Sequence, residues 1–139
     1  PDPKKWAEII RNEITEDCIL VGHSLGVPAI LRALEHYNGA PAKALFSVAG
    51  FAEKLNLDFD EHIDPFTTTP FRFKKIESKV ENIFVWDSSN DPLVPSTCGD
   101  LLEKELNATR QTFKNQDHLS WFNNHPSFPP LLDAILKLK

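Results

Sequence analysis

Gly22-His23-Ser24-Leu25-Gly26 is the segment of this 139-residue chain best suited to chemistry. It follows a short apolar run, Cys18-Ile19-Leu20-Val21, and precedes a stretch of helical spacing. That is the strand-to-helix setting in which a G-x-S-x-G turn lifts a serine hydroxyl above a sheet as a nucleophile. Glycines at 22 and 26 leave room for so sharp a turn. The first amides of the following helix point at the same space, so the Leu25 N–H is the expected receiver of the oxyanion of a tetrahedral intermediate. Chance supplies roughly 0.01 such pentapeptides in a chain of this length and composition, before the strand and helix are required. A serine that merely caps a helix is the plainer alternative.

A serine hydroxyl is a poor nucleophile until a base takes its proton, and the base needs a carboxylate to hold it. On this type of sheet the chain order is serine, acid, histidine. Asp91 lies in the segment DSSNDPLVP, past a strand expected at Ile83 to Trp86, where such sheets place their sites. Its rivals are Asp87, too near the strand end to point at the site, and Asp100, which reads as helix surface; an Asp-Pro turn is the simpler role for Asp91. His118, in NQDHLSW between the last strand and the last helix, is the expected base. His125 is its rival, whereas His36 and His62 precede the acid and break the order. His23 is expected to face away from the nucleophile and to be structural. Asp58, Asp60, Glu61, His62 and Asp64 could gather a cation, but a solvated acidic loop explains them, and neither metal nor cofactor is expected.

The elements that must position these residues alternate. Asp2-Pro3 opens a helix over residues 3 to 14, with Trp6, Ile9, Ile10 and Ile14 at near-helical spacing. Cys18 to Val21 reads as a buried strand, 25 to 37 as a helix ended by Asn38-Gly39, and Ala44 to Val48 as a second strand. Ile83 to Trp86 and Thr109 to Phe113 read as the third and fourth. Helical patterns cover Phe71 to Lys79, Ser96 to Leu106 and Pro129 to Leu138. The expectation is an α/β fold: a mostly parallel sheet between two helical layers, in one domain over 1–139. Residues 51–70 interrupt the alternation and read as a cap loop over a pocket that Phe51, Phe59 and Phe66 could line, although packing against the domain itself is the simpler use of aromatics.

The formal net charge of −5 opposes a phosphate backbone, and the basic residues form no stripe, so nucleic acid is not an expected partner. No apolar run is long enough for a membrane span and no secretory leader is visible, which makes a cytoplasmic location the default. Cys18 and Cys98 fit neither a metal spacing nor a disulfide framework and read as ordinary reduced residues. The chain opens at Pro1 and contains no methionine. The expectation is therefore that it is not a complete reading frame.

GHSLG followed by AILRALEHY, the SSNDPLVP loop and the DH pair before a C-terminal helix together resemble one family, the small serine hydrolases related to retinoblastoma-binding protein nine, within the α/β-hydrolase superfamily. The resemblance runs over nearly the whole chain and implies a sheet of flavodoxin-like strand order, with a triad at Ser24, Asp91 and His118. It implies small esters or amides as substrates. Asp117 departs from the glycine that commonly precedes the histidine, and the Leu-x-Cys-x-Glu segment associated with pocket-protein binding is absent. Members begin with further strands and a His-Gly-type loop carrying a second oxyanion donor, which implies about forty to fifty residues ahead of Pro1, worth roughly 3 kcal/mol in that donor alone. Without those strands the nucleophile strand would be an apolar open edge, prone to self-association, and activity would be poor. The reading that follows is a serine hydrolase working through an acyl-enzyme on small carboxylic esters, with thioesters or amides on the same triad; the alternative is a non-catalytic relative serving as a binding module.

Overall fold

The computed structural model describes residues 1–58, 60–120 and 127–138. Its elements in chain order are α1 (Pro3–Glu13), β1 (Ile19–His23), α2 (Gly26–Glu35), β2 (Ala42–Val48), a 3-10 turn (Asp60–His62), α3 (Asp64–Thr67), α4 (Phe73–Glu77), β3 (Val80–Ser88), α5 (Ser96–Leu106), β4 (Thr109–Phe113) and α6 (Pro129–Lys137). The four strands form one sheet in the order β1-β2-β3-β4, every neighbouring pair parallel. This is the expected α/β architecture. Parallel pairing requires a crossover between neighbours, and the sequence supplies one helix or more at each step.

Strand alternation sorts the side chains into two layers. Leu45 of β2 and Ile83 and Val85 of β3 meet Leu31 and Leu34 of α2, Ile76 of α4, and Leu102 and Leu106 of α5 on one face. Phe46 and Val48 of β2, Trp86 of β3 and Leu119 meet Leu131, Ala134 and Ile135 of α6 on the other. The β2 and β3 runs read as near-continuous apolar sequence because both faces are covered. Beyond β1 no strand pairs among the described residues, and Val21 is 44% exposed there. Trp6 and Ile9 of α1 and Leu132 and Leu136 of α6 are also exposed.

Several boundaries differ from the sequence expectation. The third strand begins at Val80 and ends at Ser88, so Asp87 lies inside it rather than beyond it. Glu81 and Asn82 are exposed and Asp87 and Ser88 are polar, which hides both ends from a reading based on apolar runs. Helix α1 stops at Glu13 because Ile14 turns to extended backbone, and α4 is shorter than expected.

Residues 51–70 are not a plain loop: they carry the 3-10 turn and α3. Phe66 is fully buried and meets the Trp6 ring edge-on at 5.4 Å between centroids, while Phe59 lies outside the described residues. The end of this excursion is fastened to α2. Arg32 donates to the carbonyls of Phe66, Thr69 and Pro70, pairs with Glu35 at 2.9 Å and lies 3.6 Å over the Phe71 ring. Glu35, 3% exposed, also accepts from the Arg72 N–H at 2.6 Å. Cutting Arg32→Met leaves three carbonyls and a buried carboxylate short of a partner. We expect it to lower the unfolding free energy by about 3 kcal/mol and to speed amide exchange over 63–72, read by denaturant titration and mass-resolved exchange.

Candidate functional site

Ser24 sits at the joint between β1 and α2 with φ 52°, a left-handed conformation that a non-glycine residue adopts only when its surroundings impose it. Two bonds impose it here: the Ser24 N–H donates to the Val48 carbonyl at 3.0 Å, and the Ser24 carbonyl accepts from the Val27 N–H at 3.0 Å. The two glycines serve differently. A Cβ at Gly22 would lie 3.0 Å from both the Val27 nitrogen and Ile30 Cδ1, so the strand can approach the helix only without a side chain there. A Cβ at Gly26 would meet nothing within 4 Å, which corrects the expectation that both glycines make room. Leu25 begins α2 without a side-chain cap, and its N–H meets no acceptor among the described residues.

Asp91 lies three residues past the end of β3. Its Oδ1 accepts the N–H groups of Leu93 and Val94 at 2.8 and 3.0 Å, an Asx-type turn that Pro92 helps to close. Its Oδ2 accepts from His118 Nδ1 at 2.8 Å. Burial pushes its pKa up, but the bonds from His118, Val94 and Leu93 outweigh burial and hold it below the ordinary carboxylate value. The sequence-expected acid and base are therefore joined, and both side chains are buried. With Nδ1–H given to Asp91, His118 Nε2 is left with a free lone pair.

The base loop runs from the end of β4 through three left-handed residues, Asn115, Asp117 and Leu119, at φ 53°, 47° and 48°. It is tied to the acid loop by a reciprocal pair: Asn90 Nδ2 donates to Asp117 Oδ1 at 2.7 Å and the Asp117 N–H donates to Asn90 Oδ1 at 2.9 Å. Ser88 Oγ accepts from the Gln116 N–H at 2.9 Å and donates to Asn90 Oδ1 at 3.0 Å. It is tied to β1, the strand that leads into Ser24, by His23, whose Nε2 lies 2.9 Å from the His118 carbonyl. The spacing of G-x-S-x-G gave no sign of this last contact, nor did any signal in the sequence single out Asn90.

The rivals fall elsewhere. Asp87 points to the opposite face of β3, where it pairs with Arg110 of β4, which also holds Asp100 and Glu103 of α5. Gly99 permits this pairing, since a Cβ there would clash with Asp87 Oδ2 and the Arg110 guanidinium. His125 lies outside the described residues. Cys98, expected in a polar segment, is instead buried with Phe51 and Val94 beside Leu25, and burial followed by the Glu53 charge pushes its thiol up to about 12. Asp64 pairs with Lys54 and His62 lies 3.4 Å from Glu61. Among the described residues no three or more metal-ligating side chains gather, and no helix is long and apolar enough to cross a membrane.

The sequence pattern of the serine hydrolase family matches residues 1–137. YdeN of Bacillus subtilis, a protein named as a hydrolase, is 28% identical over 97% of this chain and 72% of its own length. Its crystal structure superposes with a TM-score of 0.90, covering 99% of this chain and 75% of that one. The serine hydrolase RBBP9 of Rattus norvegicus is 26% identical over 85% of this chain; the match spans 65% of the rat protein. A carboxylesterase structure from Nitrososphaera gargenis, 12% identical with a TM-score of 0.68 over 99% of this chain and 71% of that one, shares the fold.

Two outcomes are expected from this geometry. Gly22→Ala should disturb the strand-helix joint and cost about 2 kcal/mol, whereas Gly26→Ala should cost nothing measurable; thermal melts of the two variants compare them. Because the folded pKa of Asp91 lies below its unfolded value near 3.9, its bonds contribute stability above that pH and lose it as pH falls through the folded value. Denaturation midpoints of Asp91→Asn should therefore decline less steeply than those of the wild type below about pH 4.

Proposed function

We propose, from the premise that the chain belongs to the serine hydrolase family, that it cleaves small carboxylic esters through an acyl-enzyme formed on Ser24, with His118 as base and Asp91 as its orienting acid. The observation that carries the reading is the 2.8 Å bond from His118 Nδ1 to Asp91 Oδ2, which leaves Nε2 free to take a proton on a loop that touches His23, the residue before the strained serine. An acid out of line with the histidine would have favoured a binding module, and the acid is in line.

In the first half-reaction Ser24 Oγ attacks the ester carbonyl as its proton passes to His118 Nε2. The imidazolium is stabilised by the Asp91 carboxylate, which remains ionised because its hydrogen bonds favour the charged form. The carbonyl oxygen, now negative, takes the Leu25 N–H, an amide at the start of α2 where the helix dipole also favours negative charge. His118 then returns the proton to the leaving alcohol. Water repeats the sequence on the acyl-enzyme, and the acid departs. The residue after Ser24 leads into an apolar cluster: Leu25, Leu55, Ile63 and Leu93 are partly buried against Phe51, Val94 and Cys98. The partly buried members, Leu25, Leu55, Ile63 and Leu93, suit an uncharged acyl group more than a charged one, and the excursion 51–70 supplies two of them, in keeping with a cap.

The test is labelling by a fluorophosphonate probe read by mass spectrometry. Ser24 should carry the adduct, Ser24→Ala should carry none, and His118→Gln or Asp91→Asn should slow labelling by roughly 10²–10⁴-fold. Absence of any Ser24-dependent adduct from the folded wild-type chain would overturn the proposal.

A further inference from the structure

We propose that His23 is a positioning residue for this reaction: it fixes the main chain of His118 against the nucleophile strand, so that the place of the base depends on the side chain immediately before the nucleophile. The inference rests on the triad reading above and adds a residue to it.

Strand alternation determines where the imidazole goes. Ile19, Val21 and His23 occupy the same face of β1, and Ile19 packs in the layer that holds Phe46, Trp86 and Leu119 under α6. The base loop returns over that face, because Leu119 is anchored in the same layer. His23 therefore stands under the loop, with its ring edge-on to the His118 ring at 4.8 Å between centroids and its Nε2 2.9 Å from the His118 carbonyl. A carbonyl only accepts, so Nε2 carries the proton. The residue is exposed, yet burial of part of its surroundings lowers its pKa despite the carbonyl bond, and either the neutral Nε2–H tautomer or the imidazolium can make that bond.

The loop needs such a restraint. Three of its residues are left-handed without being glycine, and Leu119 gains no side-chain hydrogen bond from that conformation. Asn90 and Ser88 fix residues 116 and 117 to the acid strand. They hold the loop to β3, not to Ser24. The bond from His23 closes the triangle: nucleophile strand to base loop, base loop to acid loop, and both loops to the strand ends of one sheet.

A side chain that merely fills space would be replaced equally well by any residue of its size, whereas a donor can be replaced only by a donor. His23→Leu keeps bulk and loses the N–H; His23→Gln keeps an N–H at similar reach. On the full chain, we expect His23→Leu to slow fluorophosphonate labelling of Ser24 and to lower kcat on an aryl ester by about 10–100-fold with KM changed less than about twofold. His23→Gln should recover most of that loss, with melting temperatures of the two variants alike. Equal behaviour of the two variants, or a wild-type labelling rate in His23→Leu, would overturn the inference while leaving the triad intact. If the wild type itself is not labelled, the triad reading fails first, and the hold on the loop is still read by the amide exchange of Leu119. Faster exchange in His23→Leu but not in His23→Gln supports the hold, and unchanged exchange in both rejects it.

Discussion

The left-handed backbone of Ser24 is the constraint on which the rest of the site depends. Holding a non-glycine residue there costs of order 1–3 kcal/mol, and the surrounding structure must supply it. Parallel pairing of β1 with β2 brings the Val48 carbonyl under the Ser24 N–H, and α2 starts only because the Ser24 carbonyl receives the Val27 N–H. Eight of the ten residues of α2 are buried, so the helix cannot move to relieve the turn. The strain is thus a property of the sheet and helix together, and Gly22 is the residue that lets them come close enough.

A sheet whose strands all run the same way delivers every strand end to one edge, which is why Ser24 after β1, Asp91 after β3 and His118 after β4 lie at the same edge of the sheet. Delivery alone leaves three loops that could each settle separately. Here His23, Ser88 and Asn90 join them through side-chain bonds to the main chain of His118, Gln116 and Asp117, each 2.9 Å, and Asn90 also bonds the side chains of Ser88 and Asp117 at 3.0 and 2.7 Å. Bonds of this kind set main-chain position directly, and main-chain position is what fixes the imidazole of His118 against Asp91.

The parts of this arrangement that were legible from sequence are those written in local pattern. The strand-to-helix turn at Ser24 could be read because glycine, serine and glycine fall at fixed spacing between an apolar run and a helical one; the pairing of Asp91 with His118 followed from chain order and from their loops at strand ends. The family pattern over residues 1–137 agrees with that reading at the level of a serine hydrolase. What stayed hidden depends on pairs far apart in the chain. His23 and His118 are separated by 95 residues, Asn90 and Asp117 by 27, and nothing in either segment announces its partner. The polar ends of β3 were missed for a related reason, since Asp87 is buried only because Arg110 of the next strand neutralises it.

Asp117 shows how a departure from a family pattern can keep the family geometry. Glycine before the histidine would adopt φ near +47° without steric cost, whereas aspartate adopts it at some cost, reduced because its short carboxylate can bond nearby groups. In this chain the carboxylate does so: it takes the Asn90 amide while its own N–H returns a bond to Asn90. The exchange has two effects of opposite sign. The left-handed turn becomes more strained, but the unfolded loop loses the extra freedom that a glycine would bring, and the folded loop gains a bond to the acid strand. The loop of His118 is consequently held at this point by two bonds to Asn90 where a glycine would keep one, since the N–H of residue 117 reaches Asn90 with or without a side chain and only the carboxylate adds the second.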